Sequence, residues 1–149
     1  MATRRIAAIV GLVGALLVAP TVLAAPTTTI TIDVNLGTGE ETFSTTGGLL
    51  CPSGEAVTDG FVAGGGRQEK GDFTFHIIKT LTCDDGSGTF QMKVEAALVR
   101  PTGGTRGGFA IVAGSGTGAY AGLMGAGRLI GEGTDVGILD HYSGNLFIG

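Results

Sequence analysis

The sequence predicts an all-β domain of about eight antiparallel strands closed into a small barrel, with a two-sheet β-sandwich as the alternative. Residues 27–36, 72–83 and 89–100 alternate apolar and polar side chains with a period of two. This alternation is typical of antiparallel strands that bury one face. Glycine interrupts every stretch that could otherwise repeat apolar residues at helical spacing. Eight strands are also the number at which a closed barrel fills with side chains or holds one small ligand.

The remaining strands are predicted from shorter apolar runs separated by glycine and proline. In chain order, the eight predicted strands lie at 27–36, 41–51, 55–63, 72–83, 89–100, 107–113, 124–131 and 138–148. Residues 84–88, DDGSG, are typical of a short hairpin loop between the fourth and fifth strands. Closure of the barrel would remove the exposed edges that an open sheet must protect. No repeat or linker divides the chain, so residues 25–149 are predicted to form a single domain.

The first residues have the order of a secretory signal peptide. Arg4 and Arg5 precede an uncharged apolar run over 6–19, and the segment VLA ends at Ala24. The apolar run is shorter than the roughly 20 residues that a membrane-spanning helix needs. We therefore predict a signal peptide over 1–24, cleavage after Ala24 (with Ala25 as the alternative) and a secreted protein. The sequence does not decide between general and twin-arginine export.

The charge balance argues against two classes of partner. Without Arg4 and Arg5, seven basic residues stand against thirteen acidic ones, a net charge of −6. Nucleic acids and anionic membrane surfaces are bound by clustered Lys and Arg. We therefore expect neither as a partner, and no membrane association after signal cleavage. The oligomeric state is left open.

Cys51 and Cys83 are the two cysteines of the chain. In an exported protein, an even number of cysteines predicts a disulfide. Free thiols or half of a metal site are the alternatives, but neither His76 nor His141 has a spacing typical of zinc ligands. The sequence therefore predicts one disulfide and no metal.

A glycine-rich stretch, AIVAGSGTGAYAGLMGAG at 110–127, fits the dinucleotide-binding pattern G-x-G-x-x-A through Gly116, Gly118 and Ala121. A dinucleotide loop must open a helix, whose N-terminus holds the pyrophosphate. The further glycines Gly122, Gly125 and Gly127 leave room for one helical turn at most. We therefore predict no cofactor, and assign Gly116, Gly118, Gly122, Gly125 and Gly127 to a tight corner of the barrel.

The same stretch resembles the motif G-T-G-x-Y-x-G-x-x-G of allene oxide cyclase and dirigent-type barrels. LLCPSG, LTCDDGSGTF and DHYSGNL are similar to the small exported bacterial proteins that carry an allene oxide cyclase barrel-like domain. The resemblance covers residues 45 to 146 and implies a β-barrel. Members of these families isomerise a substrate in an apolar cavity or orient phenolic radicals. Their working residues do not map onto this chain one by one, so no catalytic residue is assigned.

Several polar residues share the strand register of apolar side chains. Lys79 falls between Ile77 and Leu81, Arg128 between Ala126 and Ile130, and Asp140 and Tyr142 follow Ile138. Arg100 continues the register of Leu98. Inward and outward positions alternate in a barrel, so these residues are expected to face its interior unless a bulge or strand end intervenes. The candidate ligand-binding cavity comprises Lys79, Arg128, Asp140 and Tyr142 with Phe73, Phe75, Phe90 and Met92.

Three functions are compatible with this pattern. The first is binding of a small, largely apolar molecule without catalysis. The second is an isomerase, cyclase or dirigent-like activity on an apolar or phenolic substrate. The third is an extracellular structural or interaction role, suggested by 29 glycines and a positive mean hydropathy. Clean alternating faces favour the first two, because a glycine-rich structural protein does not need them.

Overall fold

Eight antiparallel strands form a closed barrel, which confirms the predicted fold class. The structure, a computed structural model, describes residues 27–64, 73–99 and 102–149. The predicted signal peptide and Arg100 lie outside these residues. The strands are β1 (Thr27–Asn35), β2 (Glu41–Thr46), β3 (Ser53–Gly64), β4 (Thr74–Cys83), β5 (Thr89–Val99), β6 (Gly104–Ile111), β7 (Leu123–Gly133) and β8 (Gly137–Ile148).

Each strand pairs with the next one, and β8 closes the barrel on β1 from Thr27↔Asn145 to Asn35↔Gly137. Consecutive antiparallel strands place successive connections at opposite ends of the barrel. One end, the mouth, carries loops 36–40 and 134–136, and β3 and β5 end there. The other end, the base, carries loops 47–52, 84–88 and 112–122.

Alternation along the strands builds the core. On β1, Ile30 and Ile32 are fully buried, and on β5 Phe90, Met92 and Val94 are fully buried between partly or fully exposed neighbours. These are the faces that the period-two pattern predicts. The barrel is therefore filled by side chains over most of its length.

A β-bulge in β3 changes which residues face the interior. Thr58 pairs with Lys79 and Gly60 pairs with Ile78, so Asp59 is the additional residue on β3. Before the bulge Ala56 is buried in the core, whereas beyond it Phe61 lines the interior, five positions later. An odd spacing between inward residues is what a single extra residue produces.

The base is closed by a disulfide and a buried tyrosine. Cys51 and Cys83 form the predicted disulfide, with their Cα atoms 6.0 Å apart. The Tyr120 hydroxyl accepts a hydrogen bond from the Cys51 backbone N–H at 2.9 Å and lies 2.9 Å from Ser87 Oγ. Its ring packs against that of Phe90 in a T-shaped arrangement, with ring centroids 5.4 Å apart. Tyr120 therefore ties two base loops to the core.

The glycine-rich motif spans the β6–β7 connection at the base, where Gly116, Gly118 and Gly122 lie, and the start of β7, where Gly125 and Gly127 lie. Gly118, with φ +57°, begins a three-residue 3₁₀ turn that ends at Tyr120, and Gly122 has φ +79°. L-residues with a Cβ rarely adopt such angles. At Gly116, Gly125 and Gly127, a Cβ would collide with backbone carbonyl oxygens. The motif therefore shapes the closed end of the barrel, and in the described residues no α-helix follows it.

Candidate functional site

A cavity of about 410 Å³ lies inside the mouth of the barrel. Leu36 and Phe61 line it while remaining more than half exposed, so the cavity opens to solvent. Its volume is in the range of small-molecule sites. Its lining comprises Val34, Leu36, Glu41, Thr58, Phe61, Phe75, Ile77, Lys79, Val94, Ala96, Thr105, Leu129, Ile138, Asp140 and Tyr142.

Strand alternation supplies the apolar wall. Ile77, Val94 and Leu129 come from three different strands, and each occupies an inward position of its strand. At the mouth, the rings of Phe61 and Phe75 contact each other with centroids 5.2 Å apart. An apolar molecule can therefore contact aliphatic side chains inside and aromatic rings at the entrance.

A first polar cluster joins β2, β3 and β4. Lys79 Nζ lies 2.5 Å from Glu41 Oε2 and donates to Thr58 Oγ1 at 3.0 Å, and Thr58 Oγ1 donates to Glu41 Oε1 at 2.7 Å. The side chains of Lys79 and Glu41 are only 4% and 12% exposed. A buried charge requires an opposite charge or hydrogen bonds, and here each charge has both.

A second polar cluster joins β6 and β8. Asp140 Oδ1 accepts a hydrogen bond from Thr105 Oγ1 at 2.6 Å, and Asp140 Oδ2 accepts one from the Tyr142 hydroxyl at 3.2 Å. Gly131 of β7 leaves the space for this arrangement, because a Cβ there would collide with both Asp140 Oδ1 and Thr105 Oγ1. The carboxylate is therefore held in place by two neutral donors.

Burial raises the pKa of Tyr142 far above its ordinary value of about 10. The charge of Asp140 and its hydrogen bond with the Tyr142 hydroxyl raise this pKa further, and the charge of Glu41 adds to the effect. Tyr142 therefore remains a neutral phenol at physiological pH and donates a hydrogen bond to Asp140. The influence of Glu41 on Tyr142 links the two polar clusters in one electrostatic environment.

The structure brings Lys79, Asp140, Tyr142 and Phe75 together around this cavity. Phe90 and Met92 are fully buried in the core but do not line the cavity, and neither does the half-buried Phe73. Phe90 contacts Tyr120 at the base, away from the mouth. These three residues are therefore not part of the cavity wall.

The inward placement predicted for Arg128 is wrong. Arg128 is exposed, as are Ala126 and the 49%-exposed Ile130, which share its register. The inward face of β7 instead carries Leu123, Leu129 and glycines. Two apolar residues on the outer face therefore gave β7 the appearance of the opposite orientation.

Three functional candidates were not identified from the sequence. Glu41 shares its register with the buried Phe43, and Thr105 shares its register with the buried Phe109. The alternation of inward and outward positions along β2 and β6 could therefore have identified both residues. Thr58 follows the register of Ala56 and lies next to the bulge, which the sequence pattern does not locate.

One group of potential metal ligands occurs among the described residues, and it lies at the base. Cys51, Cys83 and Asp85 bring ligand atoms close together, but both sulfur atoms are used in the disulfide. Cysteine binds a metal as a thiolate. This group is therefore not a metal centre in the oxidised protein.

Comparison of the chain with protein-family models, with curated proteins and with solved structures finds no match. In the described part of the chain, no helix has the length and apolar character needed to cross a membrane. The description of the site therefore depends on its own geometry.

Proposed function

We propose that this protein is a secreted β-barrel that binds a small, largely apolar molecule in the mouth cavity without transforming it. The observation that best supports this proposal is the cavity itself, in which aliphatic and aromatic side chains surround two hydrogen-bonded polar clusters. Small-molecule sites typically combine an apolar wall with a few placed polar groups that orient the ligand. The signal-like N-terminus and the disulfide support export.

An isomerase or cyclase is the second candidate, because Asp140 and Tyr142 bring a carboxylate and a phenol to the same cavity. An effective general acid or base has a pKa near the working pH. Burial and the charge of Asp140 move the pKa of Tyr142 away from neutrality, which weakens it as a proton donor. Binding without catalysis is therefore the better-supported function.

The binding test uses N-phenyl-1-naphthylamine, an uncharged probe at neutral pH whose fluorescence rises in apolar surroundings. We expect saturable binding to the wild-type protein. Ala96→Phe places a ring in the cavity from an inward position and should abolish the signal. Ala110→Phe is the matched control, because Ala110 is exposed on the outer face of the neighbouring strand β6. Equal probe binding by both variants would refute binding in the cavity.

A further inference from the structure

Among the described residues, the charges that line the mouth cavity do not balance. Glu41 is paired with Lys79, whereas Asp140 accepts hydrogen bonds from Thr105 and Tyr142, which are uncharged donors. Among the described residues, no Lys, Arg or His forms an ion pair with Asp140. The part of the cavity lining that the structure describes therefore carries two carboxylates and one ammonium group, with one negative charge in excess.

This excess charge is located in a costly environment. Asp140 is only 7% exposed, and a buried carboxylate is stabilised most effectively by an opposite charge together with hydrogen bonds. Each of its oxygens accepts one hydrogen bond and can accept another. Asp140 lines the cavity, so a bound molecule can supply the positive charge that no described residue provides.

We propose that the ligand is an amphiphilic amine: a protonated amino group binds Asp140, and an apolar body contacts Val94, Ala96 and Leu129. This inference rests on the proposed binding function. A hydroxyl group would use the free acceptor positions of Asp140 but would leave its charge uncompensated. A carboxylate ligand would add a third negative charge to a cavity whose only described cation, Lys79, already contacts Glu41 and Thr58.

The test compares three probes that share one skeleton: 4-phenylbutylamine, 4-phenylbutan-1-ol and 4-phenylbutanoate, each titrated calorimetrically at pH 7. The amine should bind at least about tenfold more tightly than the alcohol, because its hydrogen bond to Asp140 is charge-assisted. The carboxylate should bind most weakly. A crystal structure with the amine should place its nitrogen within hydrogen-bond distance of the Asp140 carboxylate.

Asp140→Asn should reduce the preference for the amine over the alcohol to about threefold or less, because the amide keeps the shape but loses the charge. Asp135→Asn is the matched control. Asp135 is an exposed acidic residue in a mouth loop, and its replacement should leave the preference unchanged. If both variants lost the preference for the amine, the overall negative charge of the mouth would account for it, and the assignment to Asp140 would be overturned.

The outcomes separate the two proposals. If the alcohol or the carboxylate binds the wild-type protein as tightly as the amine, the inference fails while the binding function stands. The same holds if N-phenyl-1-naphthylamine binds in the cavity and none of the three probes does. If neither that dye nor the three probes bind, the proposed function fails and the inference fails with it. The wild-type ranking decides the matter even if Asp140→Asn does not fold.

Discussion

Replacing Lys79 with methionine keeps an unbranched side chain that is one atom shorter and removes its charge. Glu41, whose side chain is 12% exposed, would then keep one hydrogen bond, which Thr58 donates, and would have no opposite charge beside it. Removing one partner of a buried ion pair costs roughly 3 to 5 kcal/mol. Because Glu41 keeps that hydrogen bond and some contact with solvent, we expect the free energy of unfolding to fall by an amount near the lower end of this range, about 3 kcal/mol.

The assay is urea unfolding followed by far-UV circular dichroism, since the chain contains no tryptophan. The unfolding midpoint should fall while the slope with denaturant stays constant, because the surface exposed on unfolding is unchanged. The double variant Lys79→Met/Glu41→Leu should recover most of the loss, because a buried pair can often be replaced by apolar residues without cost.

Lys93→Met is the matched control for this prediction. Lys93 Nζ lies 2.9 Å from Glu95 Oε1, but both side chains are more than half exposed. Solvent screens such a pair, so its removal should shift the unfolding midpoint very little. If Lys79→Met and Lys93→Met had the same small effect, the Lys79–Glu41 pair would not be buried as described.

Further predictions concern Tyr142, the glycine motif and the disulfide. Above pH 10 the unfolded chain loses the Tyr142 proton while the folded protein keeps it, so stability should fall by about 1.4 kcal/mol per pH unit from this group. Urea unfolding between pH 8 and pH 11 should show a shallower alkaline decline for Tyr142→Phe, and identical declines would contradict the burial of this hydroxyl. Gly118→Val should lower the melting temperature far more than Gly60→Val. Gly118 has φ +57° and no space for a Cβ, whereas a Cβ at Gly60 makes only ordinary van der Waals contacts. Equal shifts in melting temperature would refute the structural role of the motif. Thiol labelling of the denatured, unreduced protein should leave Cys51 and Cys83 unmodified, and stoichiometric labelling without reductant would contradict the disulfide. Joint replacement of both cysteines by serine should lower the free energy of unfolding by about 3 to 4 kcal/mol in the chain-entropy model.

The sequence predicts the fold well because its strongest signal is the alternation of β1, β4 and β5. On these strands, inward positions carry large apolar residues such as Ile32, Leu81 and Phe90, and most intervening positions are polar. That contrast fixes the orientation of a strand, because a shift by one residue would expose the whole apolar set. Lys79 was located from this register.

The same reasoning fails where the contrast is absent. The inward face of β7 includes Gly125, Gly127 and Gly131, while its outer face carries Ile130 at 49% exposure. Because glycine provides no contrast in hydropathy between the two faces of a strand, the alternation pattern assigned Arg128 to the wrong face. The sequence also does not show that Gly131 makes room for the Asp140–Thr105 hydrogen bond, since this requires the pairing of β6, β7 and β8.

The most direct test of the proposed binding function is methyl NMR of the wild-type protein during titration with N-phenyl-1-naphthylamine. We predict saturable shifts in the methyl signals of Val94, Leu129 and Ile138, which line the cavity, and none in those of the exposed Val57 and Ile130. The absence of saturable shifts, or shifts confined to Val57 and Ile130, would contradict ligand binding inside the barrel.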